Sequence, residues 1–279
     1  MYETLNCIPV FNEDKMGFTR EEKEGYSTFV SRKHPEIQAL SMNSQAKAIL
    51  RFCNGDNSIK MICNKIHNMY KNVLFDRVKK DVMQLLHIMW RLGVIEWNGD
   101  SGFREFYEKK MKNAKYKMLT EDEVIDVLQE LRNKKCIPRE MICDPYTNLE
   151  SILSISQAQQ NVFNGATAFF ELQYDSKRIA LISLSTPLDK RKSLLLSFIA
   201  NFSEVDVNAD EFLHWCSSTY GKLLNTKFTR VDVILQTEKL EKGLNVLREF
   251  NFTKLGILKD ALILDEEAHN VQVLGFDLV

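Results

Sequence analysis

Four side chains in one stretch could do proton or nucleophile chemistry: Glu204, His214, Cys216 and Tyr220. A general base takes a proton from a nucleophile, and a general acid returns one to a leaving group. Glu204 is the candidate base, set against its plain reading as a solvated loop carboxylate. Tyr220 is the second candidate catalytic residue, set against its reading as core on an apolar helix face. His214 and Cys216 stand two apart, so they do not share a helical face and do not form a Cys–His pair.

Elsewhere the chemistry-bearing residues are scattered. The six cysteines include no C-x-x-C pair, and the five histidines show no spacing of a zinc site. Scattered cysteines without a secretion signal read as reduced thiols, and the expected location is the cytoplasm. "MYETLNCIPV" lacks a basic segment followed by an apolar one, so no secretory signal is expected. No apolar run is long enough to span a bilayer. No G-x-S-x-G, Walker or G-x-G-x-x-G sequence occurs. With 37 basic against 38 acidic residues, net charge -1, wholesale nucleic-acid binding is disfavoured. The 44% hydrophobic and 27% charged composition is that of a globular chain, and 279 residues predict two domains.

The two halves differ in pattern. In the first, "LNCIPVF", "MGFTREE" and "GYSTFVS" read as three small strands with turns at Asn12–Asp14 and Gly25. Three helices follow. One starts at the N-cap Asn43, one at Ser58, and one runs from about Val73 to Leu92. The third places Phe75, Val78, Val82, Leu85, Leu86, Met89 and Leu92 on one face. "GVIEW" closes the unit. A DNA-reading winged helix would want a basic third helix. Arg77, Lys79, Lys80 and Arg91 are present, but Asp76 and Asp81 dilute them.

"FTREEKEGYSTFV", "LSMNSQAKAILRFCNG" and a helix ending in "LGVIEW" together resemble the PqqD-like family, the recognition elements for ribosomally made, post-translationally modified peptides. The resemblance runs from about Leu5 to Trp97. It implies a module without chemistry of its own, to which a precursor's leader peptide adds as a strand. An exposed edge offers unpaired N–H and C=O groups, and an adjacent apolar groove selects side chains. By the family's placement the edge is Tyr26, Ser27, Thr28, Phe29 and Val30. The groove wall is Val78, Lys79, Val82 and Leu85, with a core reading open for Val82 and Leu85.

Residues 100–117, "DSGFREFYEKKMKNAKYK", read as a charged connector whose Phe103, Phe106 and Tyr107 can dock on one domain. The second half then alternates helices and strands. Thr120 and Glu123 make a capping box before the stripe Val124, Val127, Leu128 and Leu131. "NLESILSISQAQQNVF" reads as a second helix. Strands "ATAFFELQY", "RIALISLST" and "KSLLLSFIANF" precede a helix from Ala209 to Leu224. The strand "RVDVILQ", the helix "EKLEKGLNVLREF" and the strands "TKLGILKDALIL" and "VQVLGFDLV" end the chain.

That order, from about Lys117 to Val279, resembles the GNAT N-acyltransferases, especially their RimJ/RimL-type branch. Asn251-Phe252 stands in place of the family's Gly-Phe pair, and Gly256 in place of its strand glycine. The fold class expected is therefore α+β: a winged-helix-like module over residues 1–99 and a GNAT-like mixed-sheet domain over 118–279. The resemblance implies an anion loop between the fourth strand and third helix, where free N–H donors and the helix dipole hold a CoA pyrophosphate. Here that place is "SEVDVNADEF", with no glycine and no basic residue but with Glu204, Asp206, Asp210 and Glu211. A donor held there would meet Phe202, Ser203, Val205 and Asn208. Asn208 and Glu211 instead form a cap-like N-x-x-E pattern. Leu240, Gly243 and Leu247 replace the family's usual fourth-helix residues, Leu247 standing where the acid tyrosine is frequent.

Two functional readings follow from the paired resemblances. In one, the chain binds a precursor leader and N-acylates the precursor, with acyl-CoA or an acyl carrier protein thioester as donor. In the other, the second domain is inactive and presents the precursor to a partner modification enzyme.

Overall fold

Capping and turn residues mark out the first unit's elements. The computed structural model describes residues 3–135, 137–147, 149–186, 192–203, 208–237, 247, 250–264 and 267–278. The chain divides into two compact units after Glu105. The first holds β1 (Ile8–Phe11), β2 (Met16–Glu21), β3 (Ser27–Ser31), β4 (Leu40–Met42), α1 (Ser44–Arg51), α2 (Ile59–Met69), α3 (Phe75–Arg91) and β5 (Ile95–Asn98). The Asn43 side chain accepts from Ala46 N at 2.8 Å and Ser58 Oγ from Met61 N at 3.3 Å, so both expected caps form. Gly93, at φ 71°, ends α3 with Val94 N bonded to Met89 O at 2.9 Å. That turn returns the chain to pair β5 antiparallel with β1.

The expected three strands are present, but they do not form one sheet. β1 pairs with β5, and the unforeseen β4 joins β2 and β3 in the order β2-β3-β4. α2 and α3 pack together. Ile59, Ile62, Cys63, Val78, Val82, Leu86 and Met89 are buried. Phe103 docks on this unit, its ring 4.9 Å from His87 and 5.4 Å from Trp97.

A single turn, α4 (Arg104–Tyr107), spans the division. The second unit then contains β6 (Glu108–Lys110), β7 (Ala114–Met118), α5 (Glu121–Arg132), β8 (Glu140–Cys143), α6 (Leu149–Ile152), α7 (Ile155–Phe163), β9 (Thr167–Tyr174), β10 (Lys177–Ser185), β11 (Ser193–Asn201), α8 (Ala209–Leu224), β12 (Arg230–Gln236), β13 (Thr253–Leu264) and β14 (Glu267–Asp277). Much of the expected connector is thus strand: β6 and β7 pair with each other, and β7 pairs with β9. Its alternating Lys, Tyr and Met residues bury Tyr116 and Met118 while the lysines face outward. The expected second helix breaks into α6 and α7. The expected helix "EKLEKGLNVLREF" falls almost wholly outside the described residues.

The sheet runs β13-β14-β12-β11-β10-β9-β7-β6, and it is mixed because α8 carries the chain from β11 to a parallel β12. A mixed sheet is what the sequence predicts for this unit. Phe169, Leu181, Phe198 and Ala200 face Val124, Leu128 and Val162 of α5 and α7. Their neighbours face the other way: Phe170 lies 5.9 Å from Trp215, and Tyr116 5.1 Å from Phe212, both on α8. The Thr120–Glu123 capping box starts α5 as expected. No described helix is long and apolar enough to cross a membrane.

Candidate functional site

The parallel pair β11–β12 makes the place where a ligand could enter the sheet. Its ladder covers only Ser193–Leu195 against Arg230–Asp232. Beyond Leu195 the two strands part. β10 occupies one edge of β11 throughout, so the other edge, from Ser197 to Asn201, is left by β12. Parting parallel strands expose a row of N–H and C=O groups to an extended guest. Here the chain fills that row itself. β8 pairs antiparallel there, with Phe198 opposite Cys143 and Asn201 opposite Glu140. Arg139 N donates to Asn201 O at 2.8 Å and Asp144 N to Ser197 O at 2.9 Å, closing both ends of the ladder.

The sequence reading missed β8, because "EMIC" is too short to show a period. Its one legible signal is the following "DPYT", which has turn chemistry. Asp144 Oδ1 accepts from Tyr146 N at 3.1 Å and Oδ2 from Thr147 Oγ1 at 3.3 Å. Tyr146 then donates its hydroxyl to Ala261 O on β13 at 2.9 Å. Burial pushes the Asp144 carboxyl up, against the lowering effect of those two bonds. Burial, aided by Asp144, pushes the Cys143 thiol up to about 11, so it stays protonated at neutral pH.

Opposite β8, Ser197 is the extra residue of a bulge: Ser183 pairs with Phe198 but Leu184 with Leu196. Its hydroxyl lies 3.0 Å from Ser183 Oγ and 2.9 Å from Ser185 Oγ, which reaches Thr167 Oγ1 at 3.0 Å. The parting strands thus carry a hydroxyl chain at Ser197, with two buried carboxyls beside them: Asp144 after β8, and Asp232 on β12, which is held by Arg230.

The two residues that follow β11 have engaged their N–H groups. Phe202 N bonds to Ile179 O at 2.8 Å and Ser203 N to Asn201 Oδ1 at 3.1 Å. Asn208 caps α8 as expected, accepting from Glu211 N at 3.0 Å. The Glu211 carboxylate reaches Lys109 Nζ at 2.7 Å rather than turning back to the cap. Beside Phe202, whose ring is 5.8 Å away, Arg178 is held by Glu130 and the buried Glu171. Glu204 and Val205 lie outside the described residues.

Tyr220 is core, a correction to its catalytic candidacy. It is fully buried, and its hydroxyl donates to Gly165 O at 2.8 Å, which leaves no path to a substrate. Cys216 is also fully buried, and burial holds its thiol well above the ordinary value. His214 is exposed, so the two do not meet. Leu247 is buried core.

In the first unit the proposed peptide edge is corrected. β3 is the central strand: β2 takes one edge over Ser27–Ser31, and β4 takes the other over Ser27–Phe29. Ser27 and Phe29 are buried, Thr28 and Val30 half-buried, and Tyr26 exposed. The long open edge of this sheet belongs instead to β2, whose residues from Gly17 to Glu21 are exposed. Val78 and Val82 are core, at 4% and 0% exposure, so they cannot wall a groove. Lys79 and Leu85 are half-buried and stay accessible.

Among solved structures, the chain is similar to the apo form of RimL, a ribosomal-protein alpha-N-acetyltransferase. Identity is 13% over 60% of this chain and 95% of that one, with TM-score 0.43. It is similar to an acetyltransferase from Salmonella typhimurium that modifies the N-terminal serine of a 50S ribosomal protein. There identity is 17% over 61% and 97% of the two chains, with TM-score 0.43. A mutant spermidine N-acetyltransferase SpeG from Vibrio cholerae gives 14% identity, 60% and 95% coverage and TM-score 0.40. No protein-family model and no curated protein matches the chain.

Proposed function

We propose that the chain handles a ribosomally made precursor peptide during its maturation, and that its second unit presents the peptide to a partner enzyme on an N-acyltransferase framework. The observation that carries this reading is the filled edge of β11, where Arg139–Asp144 bonds Ser197–Asn201. A donor's amide-bearing arm would need those same groups. The N–H groups of Phe202 and Ser203 are engaged as well, and recovering several charge-assisted bonds from scattered contacts is unfavourable. The leader would add to the open edge of β2, with Lys79 and Leu85 on the α3 side. The precursor role rests on the resemblance of Leu5–Trp97.

A second reading is acyl transfer after β8 is displaced. It is favoured by Asp144, a buried carboxyl with a raised pKa beside the parting strands, where a general base would stand.

Calorimetry of the full chain with acetyl-CoA separates the two. Presentation predicts no tight binding. Micromolar affinity, together with acyl mass added to a candidate precursor and lost in Asp144→Asn, would establish the enzyme instead. An acyl carrier protein thioester serves as the second donor in that mass measurement, and Glu204→Gln tests the remaining carboxylate.

A further inference from the structure

A cavity of 540 Å³ opens on the last turns of α8, away from β8 and the parting strands. The last turns of α8, the return after it and Leu278 build it. Asn225 ends the helix at φ 52°, and Thr226 N bonds back to Gly221 O at 2.8 Å. A Cβ on Gly221 would meet Thr226 O at 2.6 Å, so a glycine is needed for this close return. The return brings Phe228 to the helix, and Leu278 N bonds to Thr229 O at 2.9 Å, adding the end of the chain as a wall.

Lys222 and Lys227 put two cations in its lining. His214, Lys222 and Lys227 are exposed members, and no carboxylate lines the cavity among the described residues. Asp277 faces the charge of Arg230, whose guanidinium is bonded to Asp232, and Asp210 stands in the first turn of α8, at the other end of the helix. The negative end of the helix is muted, because Asn225 N and Thr226 N cap its last carbonyls. Within the lining, Ser217 is only 3% exposed and its Oγ has no hydrogen-bond partner. Buried hydroxyls left unpaired are uncommon and costly. Turning about its Cα–Cβ bond would bring this hydroxyl within reach of an acceptor in the cavity.

We propose that this cavity binds the phosphate group of a small phosphomonoester. Two ammonium groups match a dianion better than a carboxylate, and Ser217 supplies a neutral donor. Phe228 and Leu278 give the organic part an apolar wall. The volume lies within the 300–1,000 Å³ or so of small-molecule sites and exceeds what phosphate alone would fill.

Phenyl phosphate is the probe, titrated into the full chain by calorimetry beside inorganic phosphate and benzoate. It should bind more tightly than either. Lys222→Gln with Lys227→Gln should weaken it by at least about tenfold without lowering the melting temperature. Ser217→Ala gives an opposed pair of effects: the free chain melts no lower, since an unpaired buried hydroxyl is removed, yet phenyl phosphate binds more weakly. Lys109→Gln, whose ammonium is committed to Glu211, should leave binding unchanged. Equal affinity for benzoate, failure to bind at millimolar probe, or full binding by the double lysine variant would overturn the proposal.

Discussion

Tyr146 donates its hydroxyl to the carbonyl of Ala261, 2.9 Å away, and so ties the turn after β8 to β13 at the end of the sheet. One end of this segment is thus zipped to β11 by backbone bonds, and the other is fastened by a single side chain. Removing that side-chain bond tests how firmly the inserted strand is held.

Tyr146→Phe should loosen β8 without unfolding the unit. A typical net hydrogen bond contributes about 0.5–1.5 kcal/mol, so local opening should rise by up to about tenfold. Cys143, at the centre of the effect, is the natural reporter. Its alkylation rate, followed by site-resolved mass spectrometry, should increase while that of buried Cys216 does not. An unchanged Cys143 rate would mean that backbone pairing alone holds β8.

Asp144 gives the inserted strand a pH dependence. Its folded pKa is raised above the ordinary value of 3.8 by burial. The proton is therefore bound more tightly in the folded chain. The stabilisation is fully present below the ordinary value and is lost as pH rises through the raised one. Urea unfolding of the second unit should show this slope under acid conditions. Asp144→Asn should flatten it and be neutral or stabilising at pH 7. A slope that survives in the variant would assign it to another carboxyl.

In the first unit His87 works in the opposite direction. Burial, with the Arg91 charge second, pushes its imidazole from 6.5 down to about 3. Its stabilising contribution is present above pH 6.5 and lost as pH falls toward about 3. Melting of this unit should weaken between pH 7 and pH 5. His87→Phe, placed against Trp90 and Phe103, should abolish that part of the slope.

Val82 and Leu85 separate core from surface on α3. Val82→Asp buries an unpaired charge at a fully enclosed site and should cost more than about 3 kcal/mol, unfolding the first unit. Leu85→Asp should cost about 1 kcal/mol and leave the far-UV spectrum intact. If the unit also holds a leader, the Leu85 variant should weaken leader binding while staying folded, with backbone amides of Met16–Glu21 no longer shifting on titration. Leader-induced shifts confined to the second unit would reject the β2 assignment.

The sequence by itself determined the local elements. Asn43, Ser58 and Thr120 opened their helices because a side-chain acceptor next to free N–H groups acts within one turn. Strands β9, β10, β11 and β12 were legible because long apolar runs have a length and composition that a buried strand requires. Asn208 was legible as a cap for the same local reason.

Tertiary structure alone decided which edges are open and which side chains are hidden. The resemblance to a peptide-recognition module put the open edge at Tyr26–Val30, yet β4, only three residues long, covers Ser27–Phe29. β8 carries no periodic signal, and its partner lies far along the chain on β11; such pairing is set by which edge remains unfilled once β10 and β12 are in place. Val82 and Leu85 sit on the same apolar stripe, and tertiary packing encloses the first while leaving the second half-buried. Tyr220 was ambiguous in the same way until its hydroxyl met Gly165, a backbone group that no spacing along the sequence brings near. Hydrogen bonds within a turn are written in neighbouring residues, whereas strand pairing and burial depend on surfaces that exist only after the chain has folded.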